Sequence, residues 1–264
     1  MASEQREKII RFYKGTEGEE TVVKLVDLAE AVQRSQKFRL SGFLDPYEQE
    51  IAETVAANYE QLRVDFDGGY PGAERARAMF VHTAFPGTPT GFDLACVEAR
   101  WQAQFARLSH RDVLGALLSL GIERSCLGDL LVSNDRVKIV CVRKMADYLL
   151  QNLTRIGAAG VEVQETGLDT IAPKEERCKE IRATVASLRV DSIAASGFGC
   201  SRSRAASDIA ADKMKLNWQP VKNAAQNVKA GDVLSLRGRG RLEVAEVRGQ
   251  TKKGRTVVVL KRYL

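Results

Sequence analysis

Two arginines and two lysines carry the most pointed chemistry in this chain. Ser201-Arg202-Ser203-Arg204 stands where a helix can start, and Lys213 and Lys215 follow a short, mostly apolar stretch. Ser201 can cap such a helix, with Ala205, Ala206 and Ile209 on its inner side. Arg202 and Arg204 then lie in the first turn beside unpaired amides, where each cation costs ~0.3–1 kcal/mol against the helix dipole. A bound phosphate would reverse that cost, because amides and guanidiniums would meet it together. Lys213, Lys215 and Asn217 alternate with Met214 and Leu216, so a strand would put the three polar groups on one face. Arg237, Arg239 and Arg241 form one basic loop, and Lys252 and Lys253 begin another. Trp218 offers a ring on which a base can stack, for ~1–3 kcal/mol, or a side chain that closes the edge of the core.

Other constellations point away from catalysis. His110-Arg111-Asp112 has acid–base residue types, but neighbours at a helix start point in different directions and do not form a triad. Capping by Ser109 and Asp112 explains the cluster, leaving Arg111 at the surface, where it and Arg124 are possible RNA contacts. Five cysteines, Cys96, Cys126, Cys141, Cys178 and Cys200, are scattered without a C-x-x-C, and His82 and His110 lie near no cysteine pair. This predicts no metal site, no disulfide framework and reduced, buried thiols. No P-loop and no Gly-rich loop between strand and helix is present, so no cofactor is expected. No apolar run is long enough for a membrane span, and the N-terminus has no signal-peptide pattern.

The charge is divided unevenly. Residues 182–264 hold 17 Lys+Arg against 6 Asp+Glu, whereas residues 1–181 hold 23 against 28, within a chain of net charge +6. A basic domain on an acidic body is the footprint of a nucleic-acid binder, and the acidic body can hold a protein partner.

The elements that must position these groups fall into three expected domains. Residues 1–84 read as a helical α/β domain. A box of Thr16 and Glu19 is expected to open one helix, and Asp45-Pro46 with Glu48 a second that runs to about Tyr59. Residues 61–84 alternate as two strands around Asp67-Gly-Gly-Tyr-Pro-Gly72. Residues 85–166 read β-α-β-β-α-β, a ferredoxin-like unit of the kind RNA-recognition modules use, though no RNP-type aromatic motif lies on its strands. A linker is expected from Glu165 to Glu180, with Gly167, Pro173 and the run KEERCKE. A basic α/β domain follows over 180–264. The expected class is α+β.

That last domain resembles the S-4 domain, a small RNA-binding fold. The matching residues are Leu188-Arg-Val-Asp191, Gly197-Phe198, Ser201-Arg202-Ser203-Arg204-Ala205, Lys215-Leu-Asn217 and Val228 to Asp232. Lys213 and Trp218 depart from it, each where glycine is usual. Upstream, Phe43-Leu-Asp-Pro46, Leu108-Ser-His-Arg-Asp112, Gly115-Ala-Leu-Leu118, Leu120-Gly-Ile122 and Gly128-Asp129 resemble the YlmH family of bacterial and plastid S-4 proteins. Forms from photosynthetic organisms often carry a photosystem II S-4 label, which does not establish a photosystem role. The resemblance implies a non-enzymatic factor of the large ribosomal subunit that binds rRNA and tRNA during rescue of stalled nascent chains. It implies a bacterial cytoplasmic location, or the plastid stroma for a plant or algal source. The expected RNA surface is Ser201, Arg202, Arg204, Lys213 and Lys215, supported by Arg237, Arg239, Arg241, Lys252 and Lys253. The alternatives are an RNA-modifying enzyme with its active site in residues 1–165, and an assembly scaffold.

Overall fold

The computed structural model describes residues 2–104, 106–172, 178–251 and 254–263. The chain divides into two units, Met1–Lys174 and Glu175–Leu264. No helix among the described residues is long and apolar enough to cross a membrane.

The first unit opens with α1 (Ala2–Tyr13) and α2 (Glu19–Ser35), and α2 buries Val22, Leu25, Val26, Ala29 and Val32 along one stripe. The expected box at Thr16 does not cap α2, whose N-cap is Gly18. Thr16 Oγ1 instead accepts from the Gly18 amide at 3.2 Å, and Glu19 Oε2 from the Gly15 amide at 2.8 Å. Gly18 lies close to the next helix, where an added Cβ would be 2.5 Å from Ile51 Cδ1.

Then come β1 (Phe38–Leu44), α3 (Pro46–Ala57), β2 (Leu62–Asp67) and β3 (Ala76–His82), in an antiparallel sheet of order β1-β3-β2. α3 carries the expected box, with Asp45 Oδ1 accepting from the Glu48 amide at 2.9 Å and Glu48 Oε2 from the Asp45 amide at 2.8 Å.

The unit continues with β4 (Leu94–Arg100), α4 (His110–Ser119), β5 (Leu127–Val132), β6 (Arg136–Val142), α5 (Arg143–Asn152), the short hairpin β7 (Arg155–Ile156) and β8 (Ala159–Gly160), and β9 (Glu162–Thr166). The larger sheet has order β5-β6-β4-β9 with every neighbour antiparallel, the ferredoxin-like arrangement. Val97, Val113, Leu117, Ile139 and Leu149 fill the space between this sheet and its helices.

The opposite sheet face is covered at one end. Cys96, Val140 and Val142 pack with Phe43 and Ile171, flanked by Tyr70 and Leu168. The linker therefore starts later than expected: Glu165 sits in β9 and pairs with Arg143 at 2.6 Å, and the chain stays on the sheet through Ile171. Pro173 and residues 174–177 lie outside the described residues.

Asp129, on β5 of the larger sheet, fastens that sheet to the loop between β2 and β3. Its carboxylate accepts from Tyr70 Oη at 2.6 Å and from the amides of Glu74 and Arg75 at 2.8 and 3.1 Å. Arg75 reaches on to the carbonyls of Leu127 and Phe43. The stretches 1–84 and 85–166 both lie within the unit Met1–Lys174.

The second unit comprises β10 (Cys178–Val185), α6 (Val190–Phe198), α7 (Arg202–Ala210), β11 (Met214–Leu216), β12 (Gln219–Pro220), β13 (Val233–Leu236), β14 (Gly240–Gln250) and β15 (Thr256–Tyr263). Its sheet has order β10-β15-β14-β13-β11-β12. Ile193, Phe198, Ile209, Met214, Leu234, Leu242 and Leu260 form its core. α6 lies so close to β14 that a Cβ on Gly197 would meet Leu242 Cδ2 at 2.1 Å.

Candidate nucleic-acid interface

The candidate interface is built on the corner between α6 and α7. α6 buries Val190, Ile193, Ala194 and Phe198 and stops at Gly199, whose φ of 66° is left-handed. Two residues on, Ser201 caps α7 by accepting from the Arg204 amide at 3.1 Å. Ala205 and Ile209 hold α7 on the core, which turns Arg202 and Arg204 outward in the first turn. The helix start and its cap stand where the residue types placed them.

Both arginines already have anionic partners. Arg202 Nη2 donates to Asp191 Oδ2 at 2.9 Å, and Arg189 grips the same carboxylate through Nε at 3.2 Å and Nη2 at 2.9 Å. Arg204 Nε donates to Asp208 Oδ2 at 3.1 Å, and Lys213 Nζ lies 3.6 Å from Asp208 Oδ1. The carboxylate side chains are each 7% exposed, against 52% for Arg202 and 59% for Arg204. Each buried anion therefore holds two cations at the surface. Burial alone would raise the Asp191 pKa, but the hydrogen bonds from Arg189 and Arg202 outweigh it and hold the carboxyl below its ordinary value. The helix-start penalty expected to await a phosphate is offset by these two aspartates.

Contacts extend the basic surface. The Arg237 amide donates to the Lys213 carbonyl at 3.0 Å, bringing the β13–β14 turn beside Lys213. Arg239 Nη1 donates to the Phe198 carbonyl at 3.2 Å, at the end of α6. Lys215 is exposed on β11, opposite the buried Met214 and Leu216. Asn217 leaves the strand pattern: its φ is 48°, and its side chain bridges Asp232 and the Val233 amide instead of sharing a face with Lys215. Arg241 lies over the Trp218 ring, 5.8 Å from its centroid. Lys252 and Lys253 lie outside the described residues.

The two candidates on the first unit part ways. Arg111 is exposed in the first turn of α4, behind the cap in which the Ser109 amide donates to Asp112 Oδ2 at 2.8 Å. Arg124 turns inward. Its Nη1 donates to the carbonyls of Leu127 and Gly128 at 2.8 and 3.1 Å, and burial, then the nearby Arg75, pushes its pKa down to about 10. Its guanidinium is engaged in holding the start of β5.

On the ferredoxin-like sheet, the face available to an RNA-recognition module is closed at one end by Phe43, Tyr70, Leu168 and Ile171. Its other end carries the buried Glu98 with Arg100 at 2.5 Å, Arg136 at 3.9 Å and a hydrogen bond from Gln164. Asp135 also pairs with Arg136, so charge there is balanced locally.

Sequence reasoning missed Arg189 as part of the site and Asp191 and Asp208 as its anchors. Arg204 and Asp208 stand at i,i+4, a spacing that would have revealed their pairing. Arg202 and Asp191 meet only because α6 and α7 turn back on each other.

Comparison with known proteins agrees with this architecture along most of the chain. Residues 17–85 match the family model "YlmH, N-terminal", residues 88–170 "Putative RNA-binding domain in YlmH", and residues 188–234 the S-4 domain. A Bacillus subtilis protein, "Ribosome-associated protein quality control protein P2", is 34% identical over 233 residues, covering 88% of this chain and 90% of that protein. The solved "Cell division protein ylmH" of Streptococcus pneumoniae superimposes with a TM-score of 0.51 at 24% identity, over 59% of this chain and 95% of that one, a likeness of fold. With its N-terminal, middle and S-4 segments matched in order and a relative aligned over most of its length, this chain belongs to the YlmH family.

Proposed function

We propose that this protein is a non-enzymatic RNA-binding factor of the large ribosomal subunit, which engages rRNA and tRNA phosphates through its S-4 unit during rescue of stalled nascent chains. The observation that carries the proposal is the pair of buried aspartates, each fixing two cations around the start of α7. A guanidinium held at one edge keeps donors directed outward, suited to bidentate contact with a phosphate. The excess of Lys and Arg over residues 182–264 supplies the long-range attraction. The name of the Bacillus subtilis relative supports the ribosomal setting.

The test is crosslinking and sequencing of RNA bound to the intact protein in cells, beside an Arg202→Glu, Arg204→Glu variant. Reads concentrated on large-subunit rRNA and tRNA, and lost in the variant, are expected. Reads on another RNA class would overturn the ribosomal setting, and reads that persist in the variant would overturn this surface. Modification of ribosomal RNA by the purified protein would overturn the non-enzymatic part.

A further inference from the structure

The turn between β11 and β12 is built against local preference. Leu216 pairs with Gln219, leaving Asn217 and Trp218 as a two-residue turn with φ of 48° and 64°. Two successive left-handed residues suit Asn-Gly, because the second position favours a residue without a Cβ. A tryptophan there is a strained choice, and strain of this kind persists only where the surroundings enforce it.

The surroundings do enforce it. The Asn217 amide donates to the Val233 carbonyl at 2.8 Å, its Oδ1 accepts from the Val233 amide at 2.8 Å, and its Nδ2 donates to Asp232 at 2.9 Å. The turn is thereby pinned to the start of β13. The ring it presents is half-buried and is not among the described side chains that form the core of this unit. Arg241 lies over it at 5.8 Å, and exposed Lys215 precedes it on the adjoining strand. A strained, anchored aromatic thus stands at the margin of the core beside cations.

From this we infer that Trp218 is a stacking platform for an unpaired base of the bound RNA, with Arg241 steadying the ring. The inference rests on the RNA-binding reading above and adds to it a preference for RNA with a single-stranded nucleotide. The cations on α7 hold phosphates of any RNA, whereas the indole face takes a base only when that base is out of a helix.

The test uses the full chain and two probes, a fluorescently labelled RNA hairpin with an unpaired loop and a blunt duplex of the same stem. Trp218→Gly relieves the left-handed strain, so its melting temperature is expected to match or exceed that of the parent. It is expected to bind the hairpin about tenfold more weakly and the duplex unchanged. Trp218→Phe keeps a ring and is expected to retain most of the hairpin affinity. In a Trp101→Phe background, Trp218 is the one remaining indole, and its emission is expected to fall on adding the hairpin but not the duplex.

Unchanged hairpin affinity in Trp218→Gly would overturn the inference. So would a lowered melting temperature with equal loss of both probes, which would make the ring a packing element. The Arg202→Glu, Arg204→Glu variant separates the two readings. If it binds both probes like the parent, the phosphate surface fails; if it loses both while Trp218→Gly loses neither, only the stacking inference fails.

Discussion

Arg202 reaches back across the corner between α6 and α7 to donate from Nη2 to Asp191 Oδ2 at 2.9 Å. Arg189 holds the same carboxylate, so one buried anion sets two guanidiniums around it. Asp208 repeats the device with Arg204 and Lys213. The surface is thus positively charged at its rim and negatively charged just beneath.

This arrangement makes a prediction whose sign separates two ideas. Asp191→Asn removes a negative charge from a basic surface, and net charge alone calls for tighter RNA binding. Positioning calls for the opposite, since the two arginines lose the carboxylate charge and one of the two acceptor oxygens that hold them. We expect binding several-fold weaker at ~0.15 M salt, where phosphate contacts still dominate. Stability should fall by about 1–3 kcal/mol, as when charge-assisted hydrogen bonds to a buried carboxylate become neutral ones. Fluorescence anisotropy and thermal melting check both, and tighter binding would count against positioning.

The same carboxylate sets a pH dependence. The pKa of Asp191 in the folded state is depressed, so the native protein holds its proton less firmly than the unfolded chain. Its contribution is therefore complete above the unfolded value of about 3.9 and is lost as pH falls through the lower folded value. Glu98, depressed by the hydrogen bonds from Arg100 and Gln164 against the opposing effect of burial, acts the same way. Melting temperatures followed downward from about pH 5 should decline, and more shallowly in Asp191→Asn.

Asp129→Ala should weaken the first unit selectively. It strands the Tyr70 hydroxyl and the amides of Glu74 and Arg75, for a loss of about 2–4 kcal/mol. Each unit holds one tryptophan, Trp101 in the first and Trp218 in the second. Denaturant melts of Trp101→Phe and Trp218→Phe backgrounds should show the shift only where Trp101 reports.

Thiol reactivity should rank the cysteines by environment. Burial pushes Cys96 up to about 11 and Cys141 up to about 12, so neither offers a thiolate near neutral pH. Cys178 is exposed. A thiol reagent followed by mass spectrometry should label Cys178 rapidly in the native protein, and Cys96 and Cys141 only after unfolding.

What the sequence disclosed depended on the range of the interaction. Asp45 with Glu48 and Ser109 with Asp112 are legible because each box closes within three residues. The ferredoxin-like order is legible because strand alternation and helix stripes are local patterns. Thr16 and Glu19 satisfy the same spacing, yet their side chains accept from the amides of Gly18 and Gly15 in the turn before α2, and the helix starts later. Leu168 and Ile171 look like linker residues because their partners, Phe43, Cys96 and Val140, are distant in the chain. At the interface, the cations are visible as charges, but the aspartates that orient Arg202 and Lys213 emerge only when α6, α7 and β11 are folded together.

The segment 167–171 bears on where this chain can be cut. A fragment ended at Thr166 would keep every strand of the larger sheet yet strip Leu168 and Ile171 from Cys96, Val140 and Val142. Freshly bared, that patch would invite self-association, and a preparation of the middle segment alone would precipitate for reasons unrelated to RNA. The smallest piece of the first unit worth expressing therefore runs past the last strand to Ile171, and it keeps Phe43 and Tyr70 as well.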